Sequence, residues 1–181
     1  MSLNDSKVAE CICPKQDCWR SGDKKMPSYC VANTYLEEIE AAKREYRKDE
    51  NIRLYSAACE VGAVNDGFRP RIEEALHFAK QLNCTRVGLA ACAAFENETR
   101  ILKSLFRKEG IQVFCTNCPI GGVTAEERGL PQLAEYINSA CNPIAQAKIL
   151  NRERTELNFI VGLCMGHDMV YVKIQTRFDM Q

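Results

Sequence analysis

Three short apolar runs, spaced by stretches that read as helices, restrict this chain more than any other feature. Arg86-Val87-Gly88-Leu89-Ala90-Ala91 is almost unbroken in its apolar character, as a strand covered on both faces must be. Ile111–Phe114 and Leu157–Leu163 read as two further strands. Between the first two, residues 96–109 read as a helix with Ile101, Leu102, Leu105 and Phe106 apolar and Gly110 in the C′ position. A loop carrying Gly121-Gly122 and Gly129 leads to a helix expected from about Pro131 to Ser139. Another helix opens with Asn142 as N-cap and Pro143 in the first turn, and runs to Leu150. Strand and helix alternating with short links predict a parallel sheet with right-handed crossovers. The expected fold class is therefore α/β: a small three-layer parallel sheet of three or four strands with helices on both faces. A cysteine-rich irregular segment and two to three helices precede it.

Those preceding helices have their own signals. From Thr34, Leu36, Ile39 and Tyr46 fall on one side of a helix, with Glu37, Glu38, Lys43, Arg44 and Glu45 on the other. That charge run is a solvated helix face supported by pairs one turn apart. Asp49-Glu50 opens a second helix through Ala57-Ala58 to about Val61, with a strand at 52–58 as the competing reading. Pro70 fits a first helical position, and Ile72, Leu76, Phe78-Ala79 and Leu82 give a third helix. Residues 1–30 are polar, poor in aliphatic side chains and without periodicity, so they cannot bury a core by themselves. With 181 residues the chain has room for one domain and a small appendage: a cysteine-rich metal-binding segment at 1–33 and an α/β domain at 34–181.

Composition removes several function classes. The 24 basic and 24 acidic side chains cancel, which argues against a nucleic-acid partner. No apolar run approaches the roughly 18 residues of a membrane span, so no membrane partner is expected. Met1-Ser2-Leu3-Asn4-Asp5 has neither a basic nor an apolar stretch of the secretory type, and the expected compartment is the cytoplasm. There, the 11 cysteines read as metal binding or thiol chemistry before they read as disulfides. Paired carboxylates, a Walker loop and a GxGxxG motif are missing, which counts against glycosidase, nucleotide and dinucleotide chemistry.

In a parallel sheet, chemistry gathers outside the carboxyl ends of the strands. Cys92 follows the first strand, Cys115 the second with Cys118 three residues on, and Cys164 the third. Cys141 stands directly before a helix N-cap. These five thiols should converge on one edge, where helix N-termini favour thiolate. His167, in Cys164-Met165-Gly166-His167-Asp168, can ligate, orient or act as acid and base. Asp168 fits a helix N-cap or a partner fixing the histidine tautomer. Cys115 and Cys118 have the C-x2-C form of a zinc knuckle, an iron–sulfur ligand pair or a dithiol. Cys59, Cys84 and His77 are isolated on helices or helix ends and read as packing residues. The amino-terminal Cys11, Cys13, Cys18 and Cys30 match a closed tetrahedral site. Metal there, zinc before iron–sulfur, would supply folding free energy that the segment lacks, and Trp19 would pack over it.

Several of these residues carry a resemblance. Cys141-Asn142-Pro143-Ile144, Gln146-Ala147, Leu150-Asn151, Thr155, Asn158 and Gly162-Leu163-Cys164-Met165-Gly166-His167-Asp168 resemble the family known as domain of unknown function 1847, whose members are often labelled only as metal-binding proteins. Gly88-Leu89-Ala90-Ala91-Cys92, Arg71-x-Glu73-Glu74, Cys118 before a glycine loop and the amino-terminal cysteines are similar too. The resemblance implies an α/β fold and cysteine-bound metal, and brings no known reaction. The family usually continues through another strand where this sequence reads Ile174-Gln-Thr-Arg-Phe-Asp-Met-Gln. A sheet without that strand would expose an edge and invite a homo-oligomer.

Three functional readings follow. The first is a metal-binding protein with an amino-terminal four-cysteine site and a second, redox-capable cysteine site at the sheet edge, holding zinc or an iron–sulfur cluster. The second is a thiol enzyme with Cys92, Cys118 or Cys164 as nucleophile and His167 as base. The third is a non-catalytic zinc adaptor.

Overall fold

The first apolar run becomes β1 (Arg86–Ala91), the middle strand of a three-stranded sheet. In the computed structural model, which describes Cys11, Cys18 and residues 30–64, 68–135 and 141–176, β1 is flanked by β2 (Gln112–Asn117) and β3 (Leu157–Val161). Both neighbours run parallel to it, with Leu89 opposite Cys115 on one side and Phe159 on the other. The chain reaches β2 through α5 (Glu96–Lys108) and β3 through α6 (Pro143–Arg152), and ends its described course in α7 (His167–Ile174). The α/β class with helices on both faces is the fold observed.

The period of two along each strand decides what each face buries. Val87 and Leu89 of β1, Val113 of β2 and Leu157 of β3 pack with Phe106 of α5 and Ala79 of α4 (Arg71–Gln81). Phe106 and Phe159 meet with ring centroids 5.2 Å apart. On the other face Ala90 packs with Ala147 and Leu150 of α6 and Tyr171 of α7, with Phe114 alongside. Gly88 points to this second face. A Cβ there would run into Asn158 Oδ1 and approach Leu150 Cδ1 to 2.9 Å, so the strand needs glycine for α6 to lie this close.

Upstream, α1 (Val31–Thr34), α2 (Leu36–Glu45) and α3 (Asp49–Val64) precede α4. The helix expected from Thr34 is α2, which starts at Leu36, and the four-residue α1 before it was not expected. Pro70 is the N-cap of α4, outside the first turn, its extended φ and ψ serving as the entry. The chain divides into two compact units with the boundary between Ile52 and Arg53, inside α3.

Two other expectations need correction. The helix predicted from Pro131 to Ser139 is a 3-10 turn at Pro131–Leu133 followed by a turn at 134–135; residues 136–140 lie outside the described part. The second strand also runs past Phe114 to Asn117, because its backbone continues to pair with β1 to the register Ala91–Asn117 despite the polar residues. Cys115 therefore lies inside β2 and does not follow it.

The amino end of the sheet is closed by polar groups. The Glu156 carboxylate accepts N–H bonds from Thr85 at 2.6 Å and Arg86 at 2.7 Å, and the Thr85 hydroxyl at 3.1 Å. Arg86 lies over the Phe114 ring, 4.8 Å from its centroid, and donates to the Glu153 carbonyl. These contacts leave the opposite end of the sheet for chemistry.

Candidate functional site: a thiol cluster at the carboxyl end of the sheet

In the strand order β2-β1-β3, the chain leaves the central strand to one side over α5 and returns to the other side over α6. Connections that diverge in this way open a crevice at the carboxyl ends of the strands. Four thiols come together there. Cys92 directly follows β1, and its N–H donates to Val161 O at the end of β3 over 2.9 Å. Cys118 directly follows β2 and is buried, 5% exposed, with the Ala93 N–H donating to its Sγ at 3.4 Å. Cys141 stands before Asn142, the N-cap of α6, whose N–H donates to Cys118 O at 2.6 Å. Cys164 begins the turn into α7, its carbonyl accepting the His167 N–H at 2.9 Å.

Cys118 is the hub. Its thiol is within hydrogen-bonding reach of both Cys92 and Cys141, and Cys164 lies close enough for its charge to act on both of those. Burial pushes the Cys141 thiol up to about 11, with the hydrogen bond and charge of Cys118 and the charges of Cys164 and Cys92 adding to it. At Cys92 the largest influence is the Ala94 N–H, which favours thiolate. Burial and the neighbouring Cys118 and Cys164 together outweigh it, and the thiol lies above its ordinary value. Cys92 and Cys141 are thus both held toward the neutral thiol by their sulfur neighbours. A nearby cation would remove that hold, since metal binding and proton release go together at thiol sites.

Among the described residues, no three His, Cys, Asp or Glu side chains already stand in the arrangement of a metal site. Ligation by these thiols needs their protons to leave.

The remaining predicted residues fall elsewhere. Cys115 shares its face of β2 with Val113, on the α5 side, where burial raises its thiol against the pull of Lys103 and Arg107. It is separated from Cys118 by the pleat of the strand, so the C-x2-C pair is not a geometric pair. His167 is the first residue of α7, and its buried Nδ1 has no partner among the described residues. Asp168 neither caps α7 nor bonds to His167. Gly166, at φ 86°, is the N-cap, and Asp168 Oδ1 accepts the N–H groups of Gly166 at 3.0 Å and Met169 at 2.8 Å. Cys84 packs against the α4–α5 core as expected, whereas Cys59 on α3 is exposed. Of the amino-terminal four, Cys11 and Cys18 are exposed and Cys30 is half-buried; Cys13 and Trp19 lie outside the described residues.

One residue beside these thiols carries only a weak signal in the sequence. Gln146 is completely buried on α6 and donates from Nε2 to Ala91 O at 3.1 Å and Thr116 O at 2.8 Å, the carbonyls just upstream of Cys92 and Cys118. Its signal in the sequence is a polar side chain on the same inward stripe as Pro143, Ala147 and Leu150.

These features define an α/β protein with a parallel sheet and a group of cysteines at its carboxyl edge. The family described as "Protein of unknown function (DUF1847)" matches residues 30–178, and the chain belongs to it. The match begins at Cys30, so Cys11, Cys13 and Cys18 lie upstream of the matched span. The chain is also 35% identical over 130 residues to the uncharacterized protein MJ0455 of Methanocaldococcus jannaschii, an alignment covering 71% of this chain and 67% of that protein. No solved structure matches. No helix among the described residues is long and apolar enough to cross a membrane.

Proposed function

We propose that this is a metal-binding protein whose principal centre is held by Cys92, Cys118, Cys141 and Cys164. The single observation that carries this reading is the approach of Cys92 and Cys141 to one buried sulfur, Cys118, with Cys164 close to both of them. Four soft donors, with the Ala93 and Ala94 N–H groups turned to two of the sulfurs, suit zinc or an iron–sulfur cluster and do not suit hard cations. Zinc would cross-link the ends of the strands, whereas an iron–sulfur cluster would supply one-electron chemistry. His167, three residues after Cys164 and with a buried Nδ1 that has no partner among the described residues, would be a nitrogen donor for the same centre. The amino-terminal segment, residues 1–33, would hold a second, structural zinc through Cys11, Cys13, Cys18 and Cys30.

The thiol-enzyme reading has less support. A nucleophilic cysteine needs its ionisation made easier. Cys92, the candidate after the central strand, is shifted the other way by burial and by its sulfur neighbours.

Metal analysis of protein purified without oxygen tests the proposal. About two equivalents of bound zinc, or iron with acid-labile sulfide and a brown colour, are expected. Joint replacement of Cys92, Cys118, Cys141 and Cys164 by serine should remove one centre and leave the other. Metal-free protein from such a preparation, with its thiols still reduced, would overturn the proposal.

A further inference from the structure

α6 does more than cross from β2 to β3. Its N-cap and its first inward side chains are bonded to every segment that delivers a thiol to the crevice except the one bearing Cys164. Asn142 donates its N–H to Cys118 O at 2.6 Å and its Nδ2 to Ile120 O at 3.2 Å, while Oδ1 accepts the Ala145 N–H at 3.2 Å and so starts the helix. One turn later, Gln146 divides the two N–H bonds of one amide nitrogen between β1 and β2. Its acceptors, Ala91 O and Thr116 O, lie where the ladder between those strands ends. Both donors of Nε2 are thereby used, and the side chain is wholly out of solvent. Its Oε1 accepts no hydrogen bond among the described residues. A buried amide that leaves its own acceptor unmatched is costly to keep. A leucine would fill the same volume without that cost, so the two carbonyl bonds are the reason for glutamine.

We propose that Gln146 is the positioning residue of the thiol cluster. By holding the last carbonyl of β1 and the penultimate carbonyl of β2 at one nitrogen, it sets the separation of Cys92 and Cys118, and Asn142 on the same helix ties Cys141 to that pair. This deepens the reading of the four thiols as one metal centre and rests on it. Outer partners that orient ligands in this way typically change metal affinity by about 10–100-fold when removed.

The test has one readout with metal and one without. Co(II) is titrated into the full chain carrying serine at Cys11, Cys13, Cys18 and Cys30, so that the sheet-edge thiols alone report, and followed by its visible ligand-field and sulfur charge-transfer bands. Separately, the metal-free protein is treated with diamide, which accepts the two electrons and two protons released as two thiols form a disulfide. The first disulfide among Cys92, Cys118 and Cys141 is then timed by mass spectrometry. Gln146→Leu is expected to keep the far-ultraviolet circular dichroism of the parent. It should bind Co(II) about 10–100-fold more weakly, with altered band shapes, and form that disulfide about tenfold more slowly. Thr155→Val, which deletes a buried hydroxyl beyond the other end of α6, should leave both readouts at the parent values. Gln146→Met, unbranched and of similar length, replaces the leucine variant if leucine does not fit. Parent-like Co(II) spectra and disulfide rates in a folded Gln146 variant would overturn the proposal. So would loss of the fold in both variants, which would make Gln146 a core residue only. If the parent itself takes up no Co(II), the metal reading fails, and the diamide rates still decide the role of Gln146.

Discussion

Gly88 shows how one residue limits the distance between layers. With no Cβ, β1 admits Asn158 Oδ1 and the Leu150 side chain into the space beside its backbone. Gly88→Ala must push α6 or β3 outward, at a cost of about 1–3 kcal/mol. Urea denaturation should show a lower midpoint at unchanged slope. Cys84 provides a second residue-scale test. Burial, followed by the charge of Glu156, raises its thiol to about 11 against the opposing Arg53. A raised thiol prefers the protonated folded state, so its stabilising effect is whole below about pH 9 and is lost as pH climbs through about 11. Allowing for its partial exposure, the loss should be on the order of 1–2 kcal/mol. Replacement by alanine should flatten that alkaline decline in the unfolding free energy and leave the curve at about pH 7 to 8 parallel to the parent's.

Among the elements, α5 is fixed to the sheet chiefly by Phe106, fully buried among Val87, Leu89, Val113 and Ile111 and in ring contact with Phe159. Phe106→Ala should cost about 3–5 kcal/mol in thermal or denaturant unfolding, far more than any change on the outward, charged side of that helix. This is also the element class that sequence reveals best. The strands and α5 were legible because their apolar residues recur with the period of the structure they form. Asn142-Pro143 marked the start of α6 for an equally local reason, a cap and a proline at the positions that tolerate them. Where the governing interaction is between segments, the reading ran short. Strand β2 is longer than its apolar run because β1 continues to pair with it, and that moved Cys115 off the proposed edge. Pro131–Leu133 closes as a 3-10 turn where the sequence pattern points to a longer helix. The convergence of Cys92, Cys118, Cys141 and Cys164 was readable, since each adjoins an element whose end is marked locally. The bonds from Gln146 were not, because both acceptors are backbone carbonyls whose positions exist only in the assembled sheet.

For the molecule as a whole, the proposed centre makes stability depend on metal. A metal that binds only the folded chain and is present at about 1,000 times its dissociation constant adds roughly 4 kcal/mol. For a protein of this length that corresponds to about 8–16 °C in Tm. Addition of a strong chelator should therefore lower Tm by that order, monitored by calorimetry. The same treatment should leave the Tm of a variant with all four of Cys92, Cys118, Cys141 and Cys164 replaced by serine unchanged, apart from any contribution of the amino-terminal cysteines. The polar closure at Glu156 and Arg86 lies at the opposite end of the strands and should be indifferent to the chelator.

The spacing of those four sulfurs also bears on biosynthesis. Long stretches of chain separate each from the next, and the last enters only with the turn after β3. A growing polypeptide on the ribosome exposes Cys92 and Cys118 well before Cys164 has been translated. If the four hold one metal as proposed, the donor set is complete only once the turn after β3 has been made, and loading would follow that point.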